Sequence, residues 1–204
     1  MTSSPHALTR RIAIAGLCLV AAAGIAAYAL MSTPQRQRAT GEALVGGPFT
    51  MVKHSGEAVT EKTFAGKPML LFFGYTFCPD VCPTELQVMA EALRQLGDKG
   101  KDIQPIFVTI DPARDTPTVM AAYVAAFGEQ FVGLTGTPEQ VKQIASAYRV
   151  FFQKVDNKDA PDAYLMDHSS IIYLMDGEGR FLKHFTYSTD PKALAEGLAA
   201  ALGR

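Results

Sequence analysis

Cysteine is scarce in this chain: Cys18, Cys78 and Cys82 are the only three among 204 residues. Three thiols build neither the multi-bridge framework of a small secreted domain nor a four-ligand structural zinc site. A basic surplus is missing as well. Lys and Arg number 19 against 20 Asp and Glu, and the first 38 residues hold four arginines and no acid. The remainder is therefore mildly acidic, with 15 basic against 20 acidic side chains. A nucleic-acid-binding domain carries a basic face, so that class is set aside. Internal repeats are absent, and the eight methionines are scattered rather than gathered into a metal-binding tract. Met89 and Met120 read as core.

Charge is also absent from Ile12 to Met31, a run of 20 residues preceded by Arg10 and Arg11. At about 1.5 Å per residue, a helix of that length crosses the roughly 30 Å core of a bilayer. A cleavable signal usually has an apolar core of only about 7–15 residues. An uncleaved anchor is therefore expected ahead of a cleaved leader, although Ala27-Tyr28-Ala29 offers a cleavage pattern. Cys18 lies inside the run and reads as a small apolar helix residue. Leu17 before it is bulky where a lipoprotein signal wants a small side chain. The expected organisation is a cytoplasmic tail (1–11), a transmembrane anchor (12–31), a polar tether (32–44) and a folded domain (45–204). A short N-terminal tail and a long following domain place the domain outside the membrane, in an oxidising compartment.

Within the domain, residues 49–52 and the turn at His54-Ser55-Gly56 predict a short strand opening a hairpin. Met69 to Phe73 is a continuous apolar run between Pro68 and Gly74, the pattern of a buried central strand. Pro83 marks a helix start, since its missing N–H is harmless only in the first turn. Leu86, Met89, Ala90, Leu93 and Leu96 then recur at helical spacing. Ile103 to Ile110 predicts a second buried strand, parallel to the first through a right-handed crossover. Thr116-Pro117 caps a helix to about Phe127, and Pro138 to Tyr148 forms another, with a short strand at 131–134 between them. A strand at 150–155, an acidic loop at 156–167, a hairpin around Asp176-Gly177-Glu178-Gly179 and a closing helix at 191–202 complete the series.

This order brings chemistry to one edge. Cys78 follows the strand 69–73, and Asp111 follows the parallel strand 103–110. A strand at 170–174 running antiparallel to these starts at the same edge, beside His168. Pro83 sets Cys82 at a helix N-terminus, where the partial positive charge favours thiolate. Two thiolates and one imidazole form a donor set suited to copper rather than to calcium or magnesium. The Cys78–Cys82 spacing by itself leaves metal, redox and structural-disulfide roles open. His6, His54 and His184 read as tail, turn and strand-surface residues. Asp80 reads as a turn residue between two prolines, and Arg114-Asp115 as a local ion pair at a helix start.

Three segments, GYTFCPDVCPTEL (74–86), TIDPARDTP (109–117) and DHSSIIYLMD (167–176), resemble in sequence and order the Sco/SenC family of copper chaperones for cytochrome c oxidase. The resemblance covers residues 45–203 and the N-terminal anchor. It implies an α/β thioredoxin-like fold, a central mixed sheet flanked by helices. It implies copper, as Cu(I) or Cu(II), held by Cys78, Cys82 and His168, with reversible Cys78–Cys82 disulfide formation beside it. Asp111 is the candidate supporting residue behind those ligands. The implied partners are the copper-centre subunit of cytochrome c oxidase and an upstream periplasmic copper donor. The implied location is a bacterial inner membrane, crossed once, with the soluble domain in the periplasm. Phe77 stands where many members have His, outside the family's ligand set. A thiol–disulfide oxidoreductase acting on the oxidase cysteines is the alternative reading.

Overall fold

The structure, a computed structural model, describes residues 45–156 and 164–203. The expected tail, anchor and tether lie outside these residues, as does much of the expected acidic loop. Among the described residues no helix is long and apolar enough to cross a membrane.

The centre of the fold is the run Met69–Gly74 (β3), in which every residue is buried. A strand apolar at every position requires cover on both faces, and a parallel sheet supplies it. Strand Gln104–Thr109 (β4) pairs parallel with β3, and Val132–Thr135 (β5) pairs parallel with β4. Strand Ile171–Met175 (β8) pairs antiparallel with β3, setting Phe72 opposite Ile172. With Thr50–Lys53 (β1), Ala58–Thr60 (β2) and Phe181–Thr186 (β9), these form a seven-stranded sheet ordered β2-β1-β5-β4-β3-β8-β9. This is the expected mixed sheet flanked by helices, and the expected parallel and antiparallel neighbours of β3 are in place. A short 3-10 turn at Glu61–Phe64 and a single helical turn at Asp98–Lys101 (α2) were not legible in the apolar pattern.

Helices start where the sequence marks them. Thr116 accepts from the Val119 amide ahead of Pro117–Ala125 (α3), and Thr137 from the Gln140 amide ahead of Pro138–Ala147 (α4). Asp190 accepts from the Ala193 amide ahead of Pro191–Ala201 (α5). Each has proline in its first turn, where the missing N–H costs no helical bond. Helix Val81–Gln95 (α1) differs, because Asp80 makes no side-chain cap bond. The Cys82 amide instead donates to Cys78 Sγ at 3.3 Å, so a sulfur takes the place of the capping oxygen.

One sequence expectation is corrected. Residues 165–167 are not loop: Leu165–His168 (β7) pairs antiparallel with Phe152–Val155 (β6), with Phe152 opposite His168. The segment Leu-Met-Asp-His alternates exposed with half-buried positions. That is strand behaviour, hidden in the sequence by the acids before it. His168 thus closes one strand, three positions before β8 opens.

Candidate metal centre

Cys82 is built into the core. It lies on the buried face of α1 with Leu86, Met89 and Leu93, and its own exposure is 0%. Gly74 makes this possible. A Cβ there would come within 2.6 Å of Cys82 Sγ and 2.9 Å of the Phe107 ring. Cys78 sits in the loop between β3 and α1, half-buried, its amide bonded to the Tyr75 carbonyl at 3.2 Å. His168 arrives from the other sheet. Its ring stands edge-on to Phe72 and to Tyr75, each centroid 6.1 Å away.

The three side chains converge as their edge positions predict. Among the described residues, Cys78, Cys82 and His168 form a group whose ligand atoms all lie within 4.8 Å of one another. His168 Nε2 is 3.5 Å from Cys82 Sγ, and Nδ1 is 3.2 Å from the Ser169 carbonyl. A carbonyl only accepts, so Nδ1 carries the proton and the Nε2 lone pair faces the sulfurs. Outside the group lies a pocket of about 260 Å³, lined by Tyr75, Cys78, Pro79, Asp80, Leu165 and His168 among others. A ligand arriving from solvent meets Cys78 and His168 first and Cys82 behind them.

The thiols are electrostatically unequal. The hydrogen bond from Cys82 draws the Cys78 thiol down to about 4 against burial, with the Cys82 amide adding to the effect. Cys82 is pushed up, first by that same bond and then by burial and by the charge on Cys78. The pair therefore shares one proton, held on the inner sulfur. The lowered Cys78 thiol favours the thiolate, the form that acts as nucleophile and soft ligand.

Asp111 and its neighbours lie beside the site through Tyr75, whose ring centre is 5.7 Å from the Arg114 guanidinium carbon. Asp111 accepts from Arg114 Nε at 2.5 Å and from the Tyr164 hydroxyl at 2.8 Å. Arg114 also donates to the Tyr164 carbonyl at 3.0 Å. The guanidinium carbon lies 3.6 Å from the Tyr164 ring centre and 4.7 Å from that of Phe77. Asp111 thus bonds the residue that leads into β7, while His168 itself is oriented by Ser169. Phe77 is 60% exposed, its ring facing the Arg114 guanidinium.

Arg114 and Asp115 are not the local ion pair expected of them. Arg114 turns to Asp111, three residues back, and Asp115 is buried at 0% exposure. Its carboxylate accepts from the Thr76 amide, the Thr76 hydroxyl and the Thr109 hydroxyl. Adjacent opposite charges in the sequence do not reveal that one points inward; a Thr at each facing strand end is the signal that was available. Glu85 was also missed. It is 1% exposed on α1, its two carboxyl oxygens have no hydrogen-bond partner among the described residues, and burial pushes it up to about 7. His54 accepts from the Gly133 amide at 3.0 Å, in keeping with a turn role.

Comparison with known proteins agrees with this geometry. The family model SCO1/SenC matches residues 37–203. The mitochondrial protein SCO1 homolog 1 of Arabidopsis thaliana is 41% identical over 159 residues, 78% of this chain and 47% of its own. The SCO2-like protein of Rickettsia felis is 41% identical over 154 residues, 76% of this chain and 75% of its own. The chain thus spans about half the length of the plant relative and three quarters of the rickettsial one. Among solved structures, Arabidopsis thaliana ScoI with copper bound is 39% identical with a TM-score of 0.74, covering 78% of this chain and 98% of that one. Bradyrhizobium japonicum ScoI with copper bound is 43% identical with a TM-score of 0.70, covering 77% and 99%. A family match across most of the chain and a fold shared with copper-bound ScoI structures lead to one conclusion: this protein belongs to the SCO1/SenC family.

Proposed function

We propose that this protein is a copper chaperone that takes one copper ion on Cys78 Sγ, Cys82 Sγ and His168 Nε2 and passes it to the binuclear copper centre of cytochrome c oxidase. The observation that carries the reading is the convergence of those three ligand atoms within 4.8 Å. Two sulfurs and an imidazole match the low-coordinate preference of Cu(I), and Cu(II) would add a further donor such as water. Copper reported in the two ScoI structures supports the choice of metal. The copper is cargo, so the ligands must both hold and release it. Cys78 and His168 at the pocket are the ones an acceptor's thiols reach first. The oxidase as recipient, and a periplasmic copper protein as donor, rest on the family resemblance. The charge-free run Ile12–Met31 supports a single-pass anchor in a bacterial inner membrane with the domain in the periplasm. Copper analysis of the reduced protein tests the reading. The wild type should retain about one copper per chain, and His168→Ala should lose most of it. A copper content indifferent to His168 would overturn the ligand set.

A second reading, a thiol–disulfide oxidoreductase acting on the oxidase cysteines, is favoured by the unequal thiols. A low-pKa outer Cys78 and a buried Cys82 suit a nucleophile and its resolving partner. Turnover of disulfide substrates that survives His168→Ala would mark this activity as separate from copper binding.

A further inference from the structure

We infer that Asp115 is a positioning residue for the metal site: its buried carboxylate anchors the start of the loop bearing Cys78 and thereby sets where Cys78 Sγ stands relative to Cys82 and His168. Asp115 is fully buried and pairs with no cation among the described contacts. Such a group is costly in a protein interior unless strong hydrogen bonds replace its hydration. They do so here. The Thr76 amide donates at 3.1 Å, the Thr76 hydroxyl at 2.6 Å and the Thr109 hydroxyl at 2.5 Å. The backbone of Asp115 is held as well, its carbonyl accepting from the Thr135 hydroxyl at 2.7 Å and its amide donating to the Asp111 carbonyl at 3.0 Å. The carboxylate therefore joins the end of β4 to the loop that leaves β3, while the Asp115 carbonyl holds the end of β5, although Thr76 lies 39 residues away in sequence.

The loop is the part of the site that needs fixing. Cys82 is set by α1 and by its packing on Gly74 and Phe107. His168 is set by pairing with Phe152 and by the rings of Phe72 and Tyr75. Cys78 belongs to no strand or helix, and its backbone makes a single turn bond to Tyr75. Two residues before it, Thr76 gives both its amide and its hydroxyl to Asp115. The separation of the sulfurs governs two equilibria, chelation of one copper ion and formation of the disulfide. A residue that fixes this separation therefore moves both, whereas one that merely staples the fold moves only the melting temperature. The copper arm of this inference rests on the reading above; the disulfide arm does not.

The test uses the full-length chain in detergent and the variants Thr76→Val, Thr76→Ser, Asp115→Asn and Thr76→Val/Asp115→Asn. Thr76→Val removes the hydroxyl and leaves the carboxylate charge intact, so it isolates position from charge. Cu(I) affinity is read by competition with bicinchoninate. The thiol pair is read by equilibration with glutathione, in which dithiol plus oxidised glutathione gives the disulfide and two reduced glutathiones. Thr76→Val and Asp115→Asn should each weaken Cu(I) binding and shift the glutathione equilibrium, by about tenfold for a lost hydrogen bond to a charged group. The double variant should fall short of the product, because both changes break one contact. Thr76→Ser should match wild type. A lowered melting temperature with both equilibria unmoved, or Thr76→Ser as impaired as Thr76→Val, would overturn the inference. Should Asp115→Asn fail to fold, Thr76→Val against Thr76→Ser still decides it. A wild type that takes up no Cu(I) overturns the metal reading, and the glutathione equilibrium then decides on Asp115.

Discussion

The acids near this site behave differently because their partners differ. Asp111 has Arg114 and Tyr164, and Asp115 has two threonines. Glu85 has burial and, among the described residues, no hydrogen-bond partner, which raises it to about 7. A carboxyl whose folded pKa exceeds its unfolded value binds its proton more tightly when folded. Its contribution is fully present below the unfolded pKa, declines as pH rises, and is lost above the folded pKa. For Glu85 the window runs from its ordinary value of 4.5 to about 7. Glu85→Gln holds the side chain neutral at every pH and should remove this slope. Urea denaturation at pH 5 and pH 8 should show the variant close to wild type at the lower pH. At the higher pH it should be more stable by on the order of 3 kcal/mol. Equal stability differences at the two pH values would place the slope on another group. Position alone hid this residue in the sequence: Glu is an ordinary helix former, and only the buried face shared with Cys82 and Leu86 reveals it.

At the scale of elements, legibility followed how local the signal was. The helix starts at Thr116, Thr137 and Asp190 were readable because a cap and a proline sit within a few residues of each other. Strand β3 was readable because a run buried on both faces carries no polar residue. The edge shared by Cys78, Asp111 and His168 followed from strand direction alone. Strand β7 was not readable, since four residues with one acid become a strand only when β6 pairs with them. The Asp115–Thr76 link spans segments that no short window contains. Element packing is most demanding where α1 crosses β3. Gly74 leaves no room for a methyl group between Cys82 Sγ and the Phe107 ring. Gly74→Ala should therefore destabilise by about 1–3 kcal/mol through overpacking. It should also displace Cys82 and weaken Cu(I) binding. Thermal unfolding together with bicinchoninate competition checks this. Wild-type values in both would mean that β3 and α1 separate more easily than their packing implies.

For the whole molecule, the division of labour follows from where the donors lie. Cys78, Cys82, His168 and the Asp115 anchor all belong to the compact unit Ala43–Arg204. Among the described residues the sheet opens with β1 at Thr50. The run 12–31 offers two soft donors, the Cys18 thiol and the Met31 thioether, thirteen positions apart in sequence. Metal binding is thus a property of the unit, and the proposed anchor acts on encounter. Tethering two proteins to one membrane raises their effective concentration without any new contact. A fragment of residues 43–204 should fold cooperatively and bind Cu(I) with the affinity of the full chain, within about threefold. Delivery to an acceptor copper domain should match the full chain when both partners are free in solution. It should fall behind when the acceptor is embedded in the same vesicle as the full-length donor. Two measurements separate the contributions: bicinchoninate competition for affinity, and acceptor metallation followed in vesicles and in solution. A folded fragment that binds copper more than tenfold more weakly would place part of the binding determinant before residue 43. Equal vesicle delivery by fragment and full chain would remove the anchor's role in encounter.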